Sequence, residues 1–221
     1  MQISNLTLKH YLKNVMFING TSYAGKSTMV KMLADKYNLI HCGENYDCIP
    51  EGILTPQTHP NLSYFQTMSS WQEFISRAPE EYNRWIEGNI RELIEFEIAY
   101  LISISGSQKV IVDTSIPTDI LHEIADYNQV AIMLSPQSMS VKHFFDRNDA
   151  DKAFLKEQIM KSDNPEKTMQ NFLACMAECN SQEIYDNFAS SGFFTLVRED
   201  TSTDTKQETL NILAKHFGLA T

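Results

Sequence analysis

The chain has 221 residues, 43% hydrophobic and 21% charged, enough to bury one sizeable core in a single α/β domain. Its 28 acidic against 18 basic side chains leave a formal charge of -10, which opposes a polyphosphate backbone and argues against DNA or RNA as a partner. No apolar run approaches the ~20 residues of a membrane span, and the opening MQISNLTLKHYLKN lacks the basic-then-apolar-then-small order of a secretory leader, so the expectation is a cytoplasmic monomer or homodimer with no membrane partner.

Residues 15–19 form a short apolar run closed by glycine, as suits a buried parallel strand. The next eight residues, Gly20-Thr21-Ser22-Tyr23-Ala24-Gly25-Lys26-Ser27, match the pattern G-x-x-x-x-G-K-S/T without a gap. Glycines at those places let the backbone curl so that successive amides face phosphate oxygens, and the helix that follows adds the positive end of its dipole. Lys26 is then placed to reach β- and γ-phosphates, and Ser27, followed by Thr28, to set a hydroxyl on Mg2+. Met29, Val30, Leu33, Ala34 and Tyr37 make one stripe of that helix.

A second strand is expected at 39–42. A long interruption follows, residues 44–108, irregular and rich in Pro and Thr at 47–62 and helical afterwards. Its aromatics, Trp71, Phe74, Tyr82 and Trp85 among them, read as core rather than a ligand cage. Arg77, Arg84 and Arg91 recur every seven residues, a spacing that could grip an anionic acceptor, but Glu80, Glu81, Glu87, Glu92 and Glu95 alongside make surface pairing the expectation. The third strand, residues 110–113, ends in Asp113, a carboxylate placed to hold magnesium beside a phosphate loop.

Pro117 opens a short helix, residues 130–134 are a fourth strand, and Asn164-Pro165 starts a helix running towards Gly192. After a fifth strand at 193–197, Thr205 and Glu208 predict a capping box and Gly218 a C-terminal cap for the last helix. Strands alternating with helices mean a parallel sheet covered on both faces. Cys42, Cys48, Cys175 and Cys179 lack metal-site spacing and read as thiols.

Gly20 to Ser27, Asp113 and the strand and helix order resemble the P-loop kinase group, which includes nucleoside monophosphate kinases, shikimate kinase, gluconate kinase and chloramphenicol phosphotransferase. The run 41–47 is similar to functionally unassigned bacterial ATPases of that type, and the tail 195–203 resembles the last strand and adenine-side loop of the group, which places Arg198 at the nucleotide. The resemblance implies a three-layer α/β fold with a five-stranded parallel sheet in order 2-3-1-4-5, an acceptor-binding insertion at 44–108 and a helical lid at 136–163 in one domain. It implies ATP and Mg2+ as cofactors and transfer of the γ-phosphoryl group to a small-molecule hydroxyl or phosphate acceptor.

Sugar- and shikimate-type relatives carry aspartates after the second strand. Here Gly43-Glu44-Asn45 stands there, with Asp47 beyond, so Glu44 or Asp47 is expected to orient the acceptor or take its proton. The lid of such kinases supplies arginines, and the corresponding stretch offers Arg147 alone. Thr114 stands where a hydrolytic ATPase has Glu, and no N-K-x-D guanine-reading motif occurs. The alternative reading is an ATP-binding switch of the same fold without transfer activity.

Overall fold

The computed structural model describes residues 3–146, 150–199 and 203–220. Five strands, β1 (Val15–Gly20), β2 (Ile40–Cys42), β3 (Val110–Asp113), β4 (Val130–Leu134) and β5 (Phe194–Val197), form one sheet in the order β2-β3-β1-β4-β5. Every pairing is parallel, so all carboxyl ends lie along one edge. The register sets Ile18 opposite Asp113 and Gly20 opposite Met133, which places the loop after β1 between the ends of β3 and β4. In open α/β sheets, that edge is where ligands bind.

The chain groups into two compact units. The first comprises Met1–Ile49, Ile94–Ser135 and Tyr185–Thr221, and the second Pro50–Leu93 and Pro136–Ile184. In the first, alternation along the strands sends side chains to opposite faces. Phe17, Val110, Val112, Val130 and Ile132 pack with Leu12, Leu101, Leu121 and Ile124. Met16, Ile18, Ile111, Ala131 and Met133 pack instead with Met29, Val30 and Leu33 of the helix Lys26–Tyr37 and with Leu210 and Leu213 of the helix Lys206–His216. Helices therefore cover both faces. β1, β3 and β4 are buried on both sides, which is why they read as unbroken apolar runs.

The second unit is helical and has its own core of Phe74, Ile75, Tyr82, Ile159, Phe172, Cys175 and Met176. Of the aromatics expected to be core, Phe74 and Tyr82 are buried, and Trp71 and Trp85 are half-buried against the same cluster: the Phe74 and Trp85 ring centroids lie 5.2 Å apart at 80°, and those of Tyr82 and Phe172 5.9 Å apart. The irregular segment before them is tied to the helix Pro79–Ile104 by Glu92, whose carboxylate accepts from Asn61 N at 3.1 Å, Leu62 N at 2.9 Å and Asn61 Nδ2 at 2.6 Å. Trp85 Nε1 donates to Asn61 O at 3.1 Å. Glu92→Ala leaves these donors without their acceptor and is expected to cost about 2 kcal/mol. Hydrogen exchange checks it: the amides of Asn61 and Leu62 should lose protection while those of β1 keep theirs.

Two expectations are corrected. The helix after Asn164 stops at Glu178 and a second runs Gln182–Ala189, because Asn180 Nδ2 turns back to Met176 O at 2.8 Å and Ser181 Oγ accepts from Ile184 N at 3.4 Å, starting the chain afresh. Thr205 makes no capping bond either. Asp204 Oδ1 accepts from Lys206 N at 3.0 Å in its place, one residue earlier, as a short acidic side chain can. Gly218 takes the left-handed conformation expected of it, with φ 63°.

Candidate functional site

The loop from Gly20 to Ser27 is held from outside. Thr21 N donates to Met133 O at 3.0 Å, Ser135 N donates to Thr21 Oγ1 at 2.7 Å, and Ser135 Oγ donates to Ser22 O at 2.6 Å. Arg198 Nη1 donates to Tyr23 O at 2.9 Å. Because every peptide described is trans, the amides of Tyr23 and Ala24 run antiparallel to those two engaged carbonyls and face the opposite way. Tyr23 holds a left-handed φ of 66° and Gly25 one of 92°, the curl that successive inward amides require. The helix Lys26–Tyr37 begins on Gly25, which has no side chain to accept from its first amides, so the positive end of the helix is left for an anion. Lys26 Nζ lies over the loop, donating to Thr21 O at 3.1 Å.

Two carboxylates converge on Ser27. Its hydroxyl donates to Asp113 Oδ2 at 2.7 Å, while Glu44 Oε2 stands 3.4 Å away. One hydroxyl proton cannot serve both acceptors well, and two like charges around one oxygen repel. Three hard oxygens with surplus negative charge suit Mg2+, and these are the residues that could hold it. Asp113 is 8% exposed, so little solvent offsets that charge. Asp47 is exposed and stands outside the hydrogen-bond set of Ser27; Arg147 lies outside the described residues.

Beside the loop, a cavity of about 640 Å³ lies between Ala24, Gly25 and Thr28 and the segment Leu196–Glu199, with Met29, Met133 and Ile212 among its walls. It has the size of a small-molecule site, and its lining is mostly polar, with Thr28, Glu199, Thr205 and Glu208 beside the apolar walls. Arg198 lines it and braces the loop at once. Arg84 and Arg91 do not gather. Arg91 pairs with Glu87 at 3.6 Å and Arg84 Nε donates to Glu80 O at 3.2 Å, ordinary contacts within one helix. Arg77 rests its guanidinium 3.7 Å from the centroid of the Tyr64 ring.

Sequence reasoning missed two residues of this region. Ser135, which grips the loop twice, follows a strand end and carries no signal of its own. Glu97 does carry one: it falls four residues from both Leu93 and Leu101, on the apolar stripe of its helix. It is 3% exposed, facing Tyr46, Cys42, Cys48, Thr114 and the charge of Asp113, and burial pushes its carboxyl up to about 7. Burial and the Glu97 charge together push the Cys42 and Cys48 thiols up to about 11, so both are inert as nucleophiles.

No helix among the described residues is long and apolar enough to cross a membrane. A scan against protein-family models matches none, and comparisons with curated proteins and with solved structures find no significant match.

Proposed function

We propose that this chain is a P-loop kinase that binds ATP with Mg2+ and moves the γ-phosphoryl group to a small-molecule hydroxyl or phosphate acceptor. The observation that carries this reading is the convergence of Ser27, Asp113 and Glu44 at the start of a helix that follows an anion-shaped loop. The triphosphate lies on the loop amides, and the base occupies the cavity beside Arg198. Lys26 leaves Thr21 O for the β- and γ-oxygens, where its charge offsets what builds up in the transition state. Ser27 and Asp113, with Glu44 beside them, would hold Mg2+, which would supply positive charge to neutralise phosphate oxygens. That role occupies Glu44 and leaves Asp47, the exposed carboxylate of the same loop, to take the proton of an acceptor hydroxyl as its oxygen bonds to the γ-phosphorus. The bond from that phosphorus to the β-γ bridging oxygen breaks, and ADP departs.

Incubation with MgATP and pools of metabolites, following ADP together with the mass of any phosphorylated product, tests the proposal. A product is expected, and Lys26→Ala should lower its rate by ~100-fold or more, the loss typical of a group that stabilises transition-state charge. Saturable ATP binding with no product across broad pools would assign the chain to a nucleotide-dependent switch instead.

A further inference from the structure

Glu97 is a carboxyl that the reaction above does not use, and its surroundings are unusual. It sits on the helix Pro79–Ile104, in the part that belongs to the first unit, with 3% of its surface exposed. The Tyr46 hydroxyl lies against it, as does Thr114. Neither Tyr46 Oη nor Glu97 Oε1 completes a hydrogen bond, although both atoms are buried; among the described residues of the first unit, they are the buried side-chain oxygens in that condition. Leaving such atoms unmade costs about 1–3 kcal/mol each, and native chains rarely tolerate it outside functional sites.

The two neighbours of Glu97 are the point. Tyr46 is two residues beyond Glu44, and Thr114 is one beyond Asp113. Tyr46 N donates to Gly43 O at 3.3 Å, closing a turn with Asn45 at φ 57°. Glu44 therefore moves with Tyr46. Thr114 is fixed through Thr114 N to Ile18 O at 3.0 Å and Ile116 N to Thr114 Oγ1 at 3.0 Å, which ties it to β1 and to the backbone ahead. A single buried side chain thus touches both segments whose carboxylates meet at Ser27.

We propose that Glu97, acting through Tyr46 and Thr114, is the positioning residue that holds Glu44 and Asp113 at the spacing a divalent cation needs between them. The inference rests on the magnesium-dependent nucleotide site proposed above. Groups that orient metal ligands without touching the metal are worth ~10–100-fold in metal affinity, so removing this one should show in cation binding before it shows in the fold.

The test is calorimetric titration of ATP into the full chain, once with Mg2+ and once with EDTA, for wild type, Glu97→Gln, Tyr46→Phe and the double variant, with a thermal melt of each. The ratio of the two affinities is the gain due to magnesium. Each single variant is expected to lower that gain about tenfold and to keep the EDTA affinity within about twofold, and the double variant to lose no more than the larger single loss, since the residues act as one unit. A gain unchanged in both single variants overturns the inference alone. Equal losses in Mg2+ and in EDTA also overturn it, since they mean a general structural role. Wild type that binds ATP in neither buffer removes the nucleotide reading, and this inference with it.

Discussion

Gly20→Ala is expected to cost about 4 kcal/mol, a large share of the 5–15 kcal/mol that holds a typical domain together. Gly20 has φ 129°, a conformation that L side chains rarely adopt. An added Cβ would run into the Met133 carbonyl oxygen and lie 2.8 Å from both Met133 C and Met133 N. Those are backbone atoms of β4, buried and paired with β1, so they cannot swing aside as a side chain would. Strain from the dihedral and from overpacking each contribute about 1–3 kcal/mol. Gly52→Ala is the control: its φ is 77°, and no atom lies within 4 Å of the added carbon, so only the dihedral cost, about 1 kcal/mol, is expected. Urea denaturation of both variants decides the matter. A midpoint for Gly20→Ala close to that of Gly52→Ala would mean that the loop is not clamped between β1 and β4.

The contrast between those glycines shows what was legible from the residues alone. The pattern Gly20 to Ser27 announced a tight loop between strand and helix because such backbone geometry leaves few residue choices. Gly52, in an open segment, announced nothing. β1, β3 and β4 were readable because a strand buried on both faces must be apolar throughout, and the strand order follows the resemblance that the loop supports.

Boundaries decided by competing caps were not readable. Asp204, Thr205 and Lys206 stand in a row, and it is Asp204 that accepts from the first helical amide, Lys206 N, while Thr205 leaves the Glu208 amide uncapped. Helical spacing continues across Cys179 to Ser181, where side-chain bonds from Asn180 and to Ser181 break the helix. Residues 50–93 and 136–184 share one core, but periodicity within each segment says nothing of its pairing with another segment far away in the chain. At the candidate site, Ser27 and Asp113 were foreseen as neighbours and are bonded; that Glu44 joins them and Asp47 does not depends on the turn at Asn45, whose left-handed φ no simple rule demanded.

Glu97 should make the stability of the chain fall as pH rises, by about 3 kcal/mol between pH ~4.5 and ~7. Its folded-state carboxyl is raised from an ordinary value of 4.5 to about 7, first by burial and then by the charge of Asp113, against the opposing influence of the Thr114 and Tyr46 hydroxyls. Below pH ~4.5 the group is protonated in both the folded and the unfolded chain and costs neither. Between the two values the unfolded chain has lost the proton and the folded chain has kept it, so each rise of one pH unit favours unfolding by about 1.4 kcal/mol. Above pH ~7 both forms are ionised, and the full penalty of a charge among Tyr46, Cys42, Cys48 and Asp113 is in place. Other carboxylates titrate in the same range, so the measurement is a difference: wild type and Glu97→Gln unfolded in urea at pH 4, 6 and 8. Gln cannot ionise, and the stability of wild type relative to Glu97→Gln is expected to drop by about 3 kcal/mol from the lowest pH to the highest. A difference constant across that range would show that Glu97 keeps an ordinary acidity, as it would if the protein sheltered its charge with a donor.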